Sequence, residues 1–591
     1  MHLPRPVIAP PVIKEIGVHS FAGPGDNPLT TELAPDWRSC MAGTAESRLA
    51  ALALAGLVAM RIAYAFMYRV DSDEPQHLHV VWGWVHGMLP YRDLFDNHCP
   101  LFQMLCSPLM WLLGEHAWIV VQMRIAMLPL YIADLWLIYL VGRRLYVHRA
   151  AVWMALIAGG IPLFFLVTTE FRTDDLWTTI WLTAVWLAVS GPMVGRRALI
   201  FGLTMGTCCA VSTKTSLLLV SLGFAAAGLL VLHVISRRSI DVKTIAKSLG
   251  LILAGMVVVP ALLAAFFTAH GAMRQMYYCV VQHNAAPGLG KWRKSGFHLW
   301  LFPLSLPVLL ALGWICIRHS RANARSGVGR ALILMTGGAY YFLLRSYCPL
   351  VTAQDFLPLV PLAALTLLPL LFHLLRLTRL PSRIFIPVAG VLLLGCEGVA
   401  ICALQSPMDD QMKKYEQSLA IALHLTNPKD FVMDGKGETI FRNRPTYWVF
   451  EGVTIRRIQV GLIPDDARER MIQTETHVAI NHRLRPDDQR WLEANFLEGD
   501  GKIWVAGENL GLARPAIAFH TDIAGTYSIV SDGGKLNGKI DGTQMVGSEK
   551  ILPGNHLLKI ASGTGNVALV WTQALDRGFN PFTGRIAGIS P

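Results

Sequence analysis

Stretches of about 20 apolar residues recur along the first two-thirds of this chain, and a segment of that length and character fits the hydrocarbon core of a bilayer. Candidate spans begin near Ala50, Trp118, Ala150, Leu176, Ala198, Leu217, Leu249, Leu299, Ala331, Phe356 and Ile384, eleven in all. Composition points the same way. Of 591 residues, 53% are hydrophobic and only 16% charged, and the mean hydropathy is +0.42; soluble chains carry about 25% charged residues. The net charge of +12 therefore reads as Lys/Arg-rich loops on the cytoplasmic side of a polytopic membrane protein. It excludes a nucleic-acid enzyme built on a basic surface, and no nucleic-acid partner is expected.

The basic clusters test the topology. Arg143, Arg144 and Arg149, then Arg196-Arg197, Arg237-Arg238 with Lys243 and Lys247, the run from Arg318 to Arg330, and the run from Arg376 to Arg383 all fall on one side if eleven spans start from an inside N-terminus. Residues 1–47 are Pro-rich and polar with no signal-peptide pattern, and read as a disordered cytoplasmic tail. Residues 48–405 form the membrane domain. The apolar stretch 101–113 is short and interrupted by Pro108. Counting it as a span would place 143–149 outside, so it reads as an interfacial helix on the outer leaflet.

Residues 406–591 then lie outside. From 406 to 512 the pattern is mixed α/β, with helices expected over 411–425 and 487–496 and strands around 430–434, 477–481 and 502–506. From 513 to 591, short alternating runs separated by Gly, Asp and Asn turns predict a small β-sandwich. The ten cysteines give no framework. Cys208 and Cys209 read as core thiols, Cys99, Cys279 and Cys348 lie in outer loops where a bridge could form, and none follows Cys402.

Ionisable residues at the outer ends of spans need a reason to be there, because desolvating them is costly. The first outer loop opens Asp71-Ser-Asp73-Glu74-Pro-Gln-His77-Leu-His79 and continues Leu89-Pro-Tyr91-Arg92-Asp93-Leu-Phe-Asp96-Asn97-His98-Cys-Pro100-Leu. The second is Glu170-Phe-Arg172-Thr-Asp174-Asp175, where Asp175 also suits a helix N-terminus. The third is Ser212-Thr-Lys214-Thr-Ser216. Lys214 there either snorkels to the interface or, beside hydroxyls and opposite acidic loops, ligates a phosphate. Arg61 and Arg124 lie inside spans and are expected to pair with neighbours such as Asp134. Carboxylates and cations gathered at the outer face, near the headgroup plane, suit a reaction on a lipid-borne phosphate. A transporter would instead show ionisable pairs at the midplane and internal duplication.

In order and placement, Asp73-Glu74, the run Pro90 to Leu101, Arg172-Thr-Asp174 and Thr213-Lys214 resemble the GT-C membrane glycosyltransferases. More narrowly, they are similar to the bacterial branch related to protein O-mannosyltransferases and the lipid A aminoarabinose transferase. The resemblance covers roughly residues 48–404. Cys99 stands where the family pattern has the first of two prolines, and the chain beyond Gly511 matches only a carbohydrate-binding type of sandwich. The resemblance implies a glycosyltransferase that takes a sugar from a polyprenyl-phosphate donor to a lipid, glycan or protein acceptor, outside the cell inner membrane. A sugar leaving on phosphate departs as a stable anion and needs no general acid, unlike an ordinary glycoside. A base for the acceptor hydroxyl and cations for the phosphate are required. Carried over by position, Asp73 is the base, Asp174 the second acidic residue and Glu74 a further catalytic candidate. Lys214, Arg92 and His98 are candidate phosphate ligands. Asp71, His77, Asp96 and Arg172 complete the candidates.

Asp71, Asp73, His77 and His79 could together build an oxygen/nitrogen site for Mg or Mn, but a lysine near the phosphate replaces a metal, and none is assigned. Two other readings stay open. A polysaccharide polymerase or ligase would use the late loop 270–296, which holds Arg274, His283, Lys291, Arg293 and Lys294. A non-catalytic export or assembly protein would use the outer domains to bind polysaccharide.

Overall fold

The computed structural model describes residues 45–236, 241–285, 299–319, 324–348, 351–375 and 382–588. The expected tail up to residue 44, Arg237-Arg238, Lys291, Arg293 and Lys294 lie outside the described residues. All eleven expected spans fall on helices. Seven of these are long and apolar enough to cross a membrane: Ala45–Met67, Ile119–Leu145, Thr215–Ile235, Val242–Ala269, Leu301–Arg318, Ser326–Tyr347 and Ile384–Leu404. The other four, His148–Gly160, Thr173–Val189, Gly195–Val211 and Leu359–Leu375, have 13 to 17 residues. The expectation of eleven spans, some of them short, thus resolves into seven long helices and four shorter ones. The reason is local: His148–Gly160 stops because Ile161, ahead of Pro162, is forced out of helical geometry (φ −54°, ψ 121°), and Thr173–Val189 starts only after the charged loop 170–172.

Packing inside the membrane domain fixes where the loops emerge. Helices Gly195–Val211 and Val242–Ala269 cross with their backbones in contact. A Cβ on Gly202 would sit 2.1 Å from the Ile252 carbonyl oxygen, and one on Gly206 would sit 2.3 Å from that of Met256. This small-xxx-small spacing lets two helices approach without a hydrophobic drive between them. It also sets the C-terminal end of Gly195–Val211, from which Lys214 projects. The short helix Leu101–Leu113 buries Phe102, Gln103, Cys106 and Met110 and leaves Leu105, Trp111 and Leu112 at least 60% exposed. One face is thus packed against the protein and the other is left apolar and exposed. Among the described residues no disulfide forms, and Cys99 and Cys279 are buried thiols.

The C-terminal part joins the membrane domain directly: the Gln411 N–H donates to the Met67 carbonyl (3.1 Å), ahead of helix Met412–Leu425. Eleven strands follow: β1 (Val432–Met433), β2 (Val478–Ile480), β3 (Phe496–Glu498), β4 (Ile503–Leu512), β5 (Ala516–Thr521), β6 (Gly525–Ser531), β7 (Asn537–Ile540), β8 (Thr543–Gln544), β9 (Ser548–Ile551), β10 (Gly554–Ser562) and β11 (Asn566–Trp571). A seven-stranded sheet runs β1-β2-β4-β11-β6-β9 with β3 also on β4, and a four-stranded sheet runs β5-β10-β7-β8. Phe519, Ile540 and Leu558 of the second sheet share one buried core with Ile529, Val567 and Leu569 of the first. The division expected at 512/513 falls at the end of β4. That strand pairs with β2 and β3 through residues 503–506 and with β11 through 507–512, so one sheet runs through both parts.

Candidate active site

Two loops and one intruder from the C-terminal part meet at Asp73, and a third loop brings Lys214 within the field of Asp174. Asp73 opens helix Asp73–Val85, Asp174 lies in the first turn of Thr173–Val189, and Lys214 directly precedes Thr215–Ile235. Carboxylates are favoured at helix N-termini, where backbone N–H groups are unpaired. Arg172 binds them together. Its guanidinium pairs with Asp71, with Asp73 (2.7 Å) and with Asp174 (3.1 Å), and lies 3.8 Å from Glu170. Burial alone would push Arg172 down, but Asp73, Asp174 and Asp71 hold it well above its ordinary value.

Asp73 has a second cation. The Lys436 ammonium, from the loop after β1, ion-pairs with its other oxygen. Burial pushes the Asp73 carboxyl up, yet Arg172, then Lys436 and the nearby histidines, hold it well below the usual carboxylate range. Burial also depresses Lys436, and Asp73 and Glu451 more than restore it. The loop that delivers Lys436 is built on Asp434. This carboxylate accepts from the Gly437 N–H (2.6 Å), the Thr439 N–H (2.9 Å) and hydroxyl (2.7 Å), and the Arg444 Nε (2.9 Å). Gly437 has φ +80°, and a Cβ there would lie 3.0 Å from that of His79, so the loop rests directly on helix Asp73–Val85.

A histidine pair flanks this centre. The rings of His77 and His98 are 4.3 Å apart. Asp96, fully buried, accepts from His98 Nδ1 (2.8 Å) and Gln103 Nε2 (3.3 Å). Burial drives His77 well below the ordinary histidine value, with His98 and Arg172 adding to it, so it is neutral near pH 7. The Gln103 amide lies 3.2 Å from His77 Nδ1, and the buried Nε2 has no partner among the described residues. With the amide donating to Nδ1, Nε2 carries the proton and is free to donate to a ligand.

Several expected roles change. Glu74 is enclosed, and Arg124 Nε (2.7 Å), the Phe171 N–H (2.7 Å) and the Asp71 N–H (2.8 Å) all donate to it. Its oxygens are committed to holding loops, which leaves it no free lone pair for catalysis. Arg124 pairs with Glu74 and not with Asp134, whose carboxylate takes the Thr179 hydroxyl (2.6 Å); Arg61 faces Asp175 at 3.9 Å. Arg92 stands at the surface in a bidentate pair with its neighbour Asp93 (2.8 Å to each oxygen), away from the Asp73 cluster. Lys214 is not a lone cation: it ion-pairs with Asp355, which is buried and held by the Thr352 N–H (2.7 Å). The four residues considered for a metal do not converge. Asp71 and Asp73 face Arg172, and His79 Nδ1 bonds the Ile440 carbonyl (2.8 Å). Among the described residues no cluster of three or more His, Cys, Asp or Glu side chains is arranged to hold an ion.

With this geometry in place, comparison with known proteins is informative. Residues 97–263 match the family described as dolichyl-phosphate-mannose-protein mannosyltransferase. The crystal structure of ArnT from Cupriavidus metallidurans bound to undecaprenyl phosphate is similar at TM-score 0.50 and 12% identity, covering 78% of this chain and 97% of that one. The chain has the GT-C fold. The oligosaccharyltransferase of Archaeoglobus fulgidus, solved with a tethered acceptor peptide, is more distant at TM-score 0.41 and 12% identity, covering 73% of this chain and 68% of that one. No curated protein sequence matches.

In this GT-C chain the residues that sequence reasoning missed are Lys436 and Asp355, together with Glu451. Glu451 accepts from Asn97 (3.1 Å) and lies 3.0 Å from His283 Nε2. One signal for Lys436 was present: Asp434-Gly-Lys436-Gly at the end of a strand is turn chemistry wrapped around a single lysine.

Proposed function

We propose that the protein is a membrane glycosyltransferase that moves a sugar from a polyprenyl-phosphate donor to an acceptor hydroxyl, with Asp73 as the base, on the outer side of the inner membrane. The observation that carries this reading is Asp73 held between Arg172 and Lys436, with Lys214 on a neighbouring helix start. A transfer with phosphate as the leaving group asks for one base and several cations and for no general acid, and this cluster supplies that set. The likeness to ArnT, solved with undecaprenyl phosphate, supports the donor class, and the match to the mannosyltransferase family supports the reaction class.

The resting geometry also suggests how the base is switched on. A carboxylate tied to two cations is weakly basic. An arriving lipid phosphate competes with Asp73 for Lys436 and with Asp355 for Lys214. As Lys436 turns to the phosphate, Asp73 loses one counter-charge and its proton affinity rises at the moment an acceptor hydroxyl is present. His77 Nε2–H adds a neutral donor, and Asp174 keeps Arg172 oriented. The test is transfer from a defined short-chain polyprenyl-phosphate sugar in proteoliposomes by wild type and Asp73→Asn. Equal turnover by the two would overturn the assignment and favour a binding or assembly protein.

A further inference from the structure

Two cavities lie beside the Asp73 cluster and share one lining side chain. The larger, of about 870 Å³, opens where β1, β2, β6 and β11 come together. The smaller, of about 290 Å³, contains Lys436 and Gln76. Phe431, half-buried, lines both. From Phe431 to Lys436 is five residues, at most about 17 Å of extended chain, and Lys436 touches Asp73.

The lining states the chemistry of an occupant. Lys429, Lys550 and Arg577 are matched in the large cleft by Asp430, Glu475 and Asp576, so it offers donors and acceptors in equal measure and no net field. His477 and Trp571, both largely buried, line its inner side, their rings stacked 4.9 Å apart and 2° from parallel. In the small cavity the buried Gln76 Oε1 has no partner among the described residues, an arrangement that costs free energy unless a ligand donates to it. A lipid tail would find too much charge here, and a strongly charged polymer would meet its own sign at three points. Polyhydroxylated rings, which donate and accept from every edge, fit.

We infer that the two cavities form an acceptor track for an uncharged oligosaccharide, whose chain lies in the large cleft and whose terminal ring passes Phe431 to reach Lys436 and Asp73. The role of the track rests on the glycosyltransferase reading above; the binding itself does not.

The experiment uses the full-length protein in detergent micelles. It is screened against an array of uncharged oligosaccharides, and the best binder is titrated calorimetrically at one, three and five residues in length. Wild type should bind with affinity rising from one to three residues or more. Thr526→Trp places a large side chain in the cleft from an exposed strand position that tolerates aromatics, and should weaken binding about tenfold or more with an unchanged unfolding temperature. No uncharged saccharide bound, preference for charged glycans or peptides, or equal affinity in Thr526→Trp would each overturn the track. A second variant, Lys550→Met, guards against a misfolded tryptophan variant and should also weaken binding. Titration of undecaprenyl phosphate alone separates the two ideas: if it binds and no saccharide does, the track fails and the donor reading stands, and the converse result reverses them.

Discussion

At the scale of single residues, the proposed chemistry turns on Asp73. Asp73→Asn is isosteric and removes only charge, so the protein should insert and fold while transfer falls on the order of 10²–10⁴-fold. Retention of turnover would remove Asp73 from the reaction. Lys436 sets the pH range. Because Asp73 is depressed by its two cations, the carboxylate is formed throughout the neutral range and activity is lost only as pH falls through that low value. Lys436→Met removes one cation, which raises the Asp73 pKa and should move the acid limb of the pH–rate profile to higher pH. An acid limb at the wild-type position would show that Lys436 does not act through Asp73. Lys214 is similar in kind but harder to isolate. Lys214→Met strands the buried Asp355 carboxylate, so it should both destabilise the protein and weaken donor binding, the latter by about 1.5–3 kcal/mol. The double variant Lys214→Met with Asp355→Asn should recover the unfolding temperature and leave donor affinity low. Recovery of both would reduce Lys214 to a structural partner of Asp355.

At the scale of elements, the first-loop helix is held in place by one buried ion pair. Glu74 and Arg124 join helix Asp73–Val85 to helix Ile119–Ala126, and Arg124 also donates to the carbonyls of Tyr68 (2.8 Å) and Arg69 (2.7 Å). Breaking one side of such a pair leaves a desolvated charge, so Glu74→Ala should cost roughly 3–5 kcal/mol, read as a lowered thermal midpoint. A loss of activity with unaltered stability would instead return Glu74 to the chemistry. The helices were legible because their cause is local: about 20 apolar residues, a proline at 162 and basic loops suffice. The site was legible as far as its own loops go, since Asp71 and Asp73 lie close together in the sequence, as do Arg172 and Asp174. Its partners were not. Lys436 and Asp73 are 363 residues apart, and Lys214 and Asp355 are 141 apart. No periodicity connects them, because only the folded packing of the C-terminal part and of the last spans brings those charges to one place. Arg92 is the opposite case: its charge and position promised a ligand, although its partner, the adjacent Asp93, was in view in the sequence.

At the scale of the whole molecule, orientation can be checked without any substrate. Reporter fusions at Arg197 and at Gly511 should report opposite compartments, since the first sits in the basic first turn of helix Gly195–Val211 and the second on strand β4. The same compartment for both would break the shared face on which the acidic loops depend. The joining of the two parts has a further meaning. Lys436 enters the site from a loop that stands beyond every membrane helix in the chain and stays in place only when β1 and its neighbours are folded. A ribosome therefore completes the membrane domain, Asp73 and Arg172 included, before it makes the second cation. During that interval Asp73 faces Arg172 alone, so on the proposed reaction it is a stronger base than in the finished site, and folding of the C-terminal part is what quiets it.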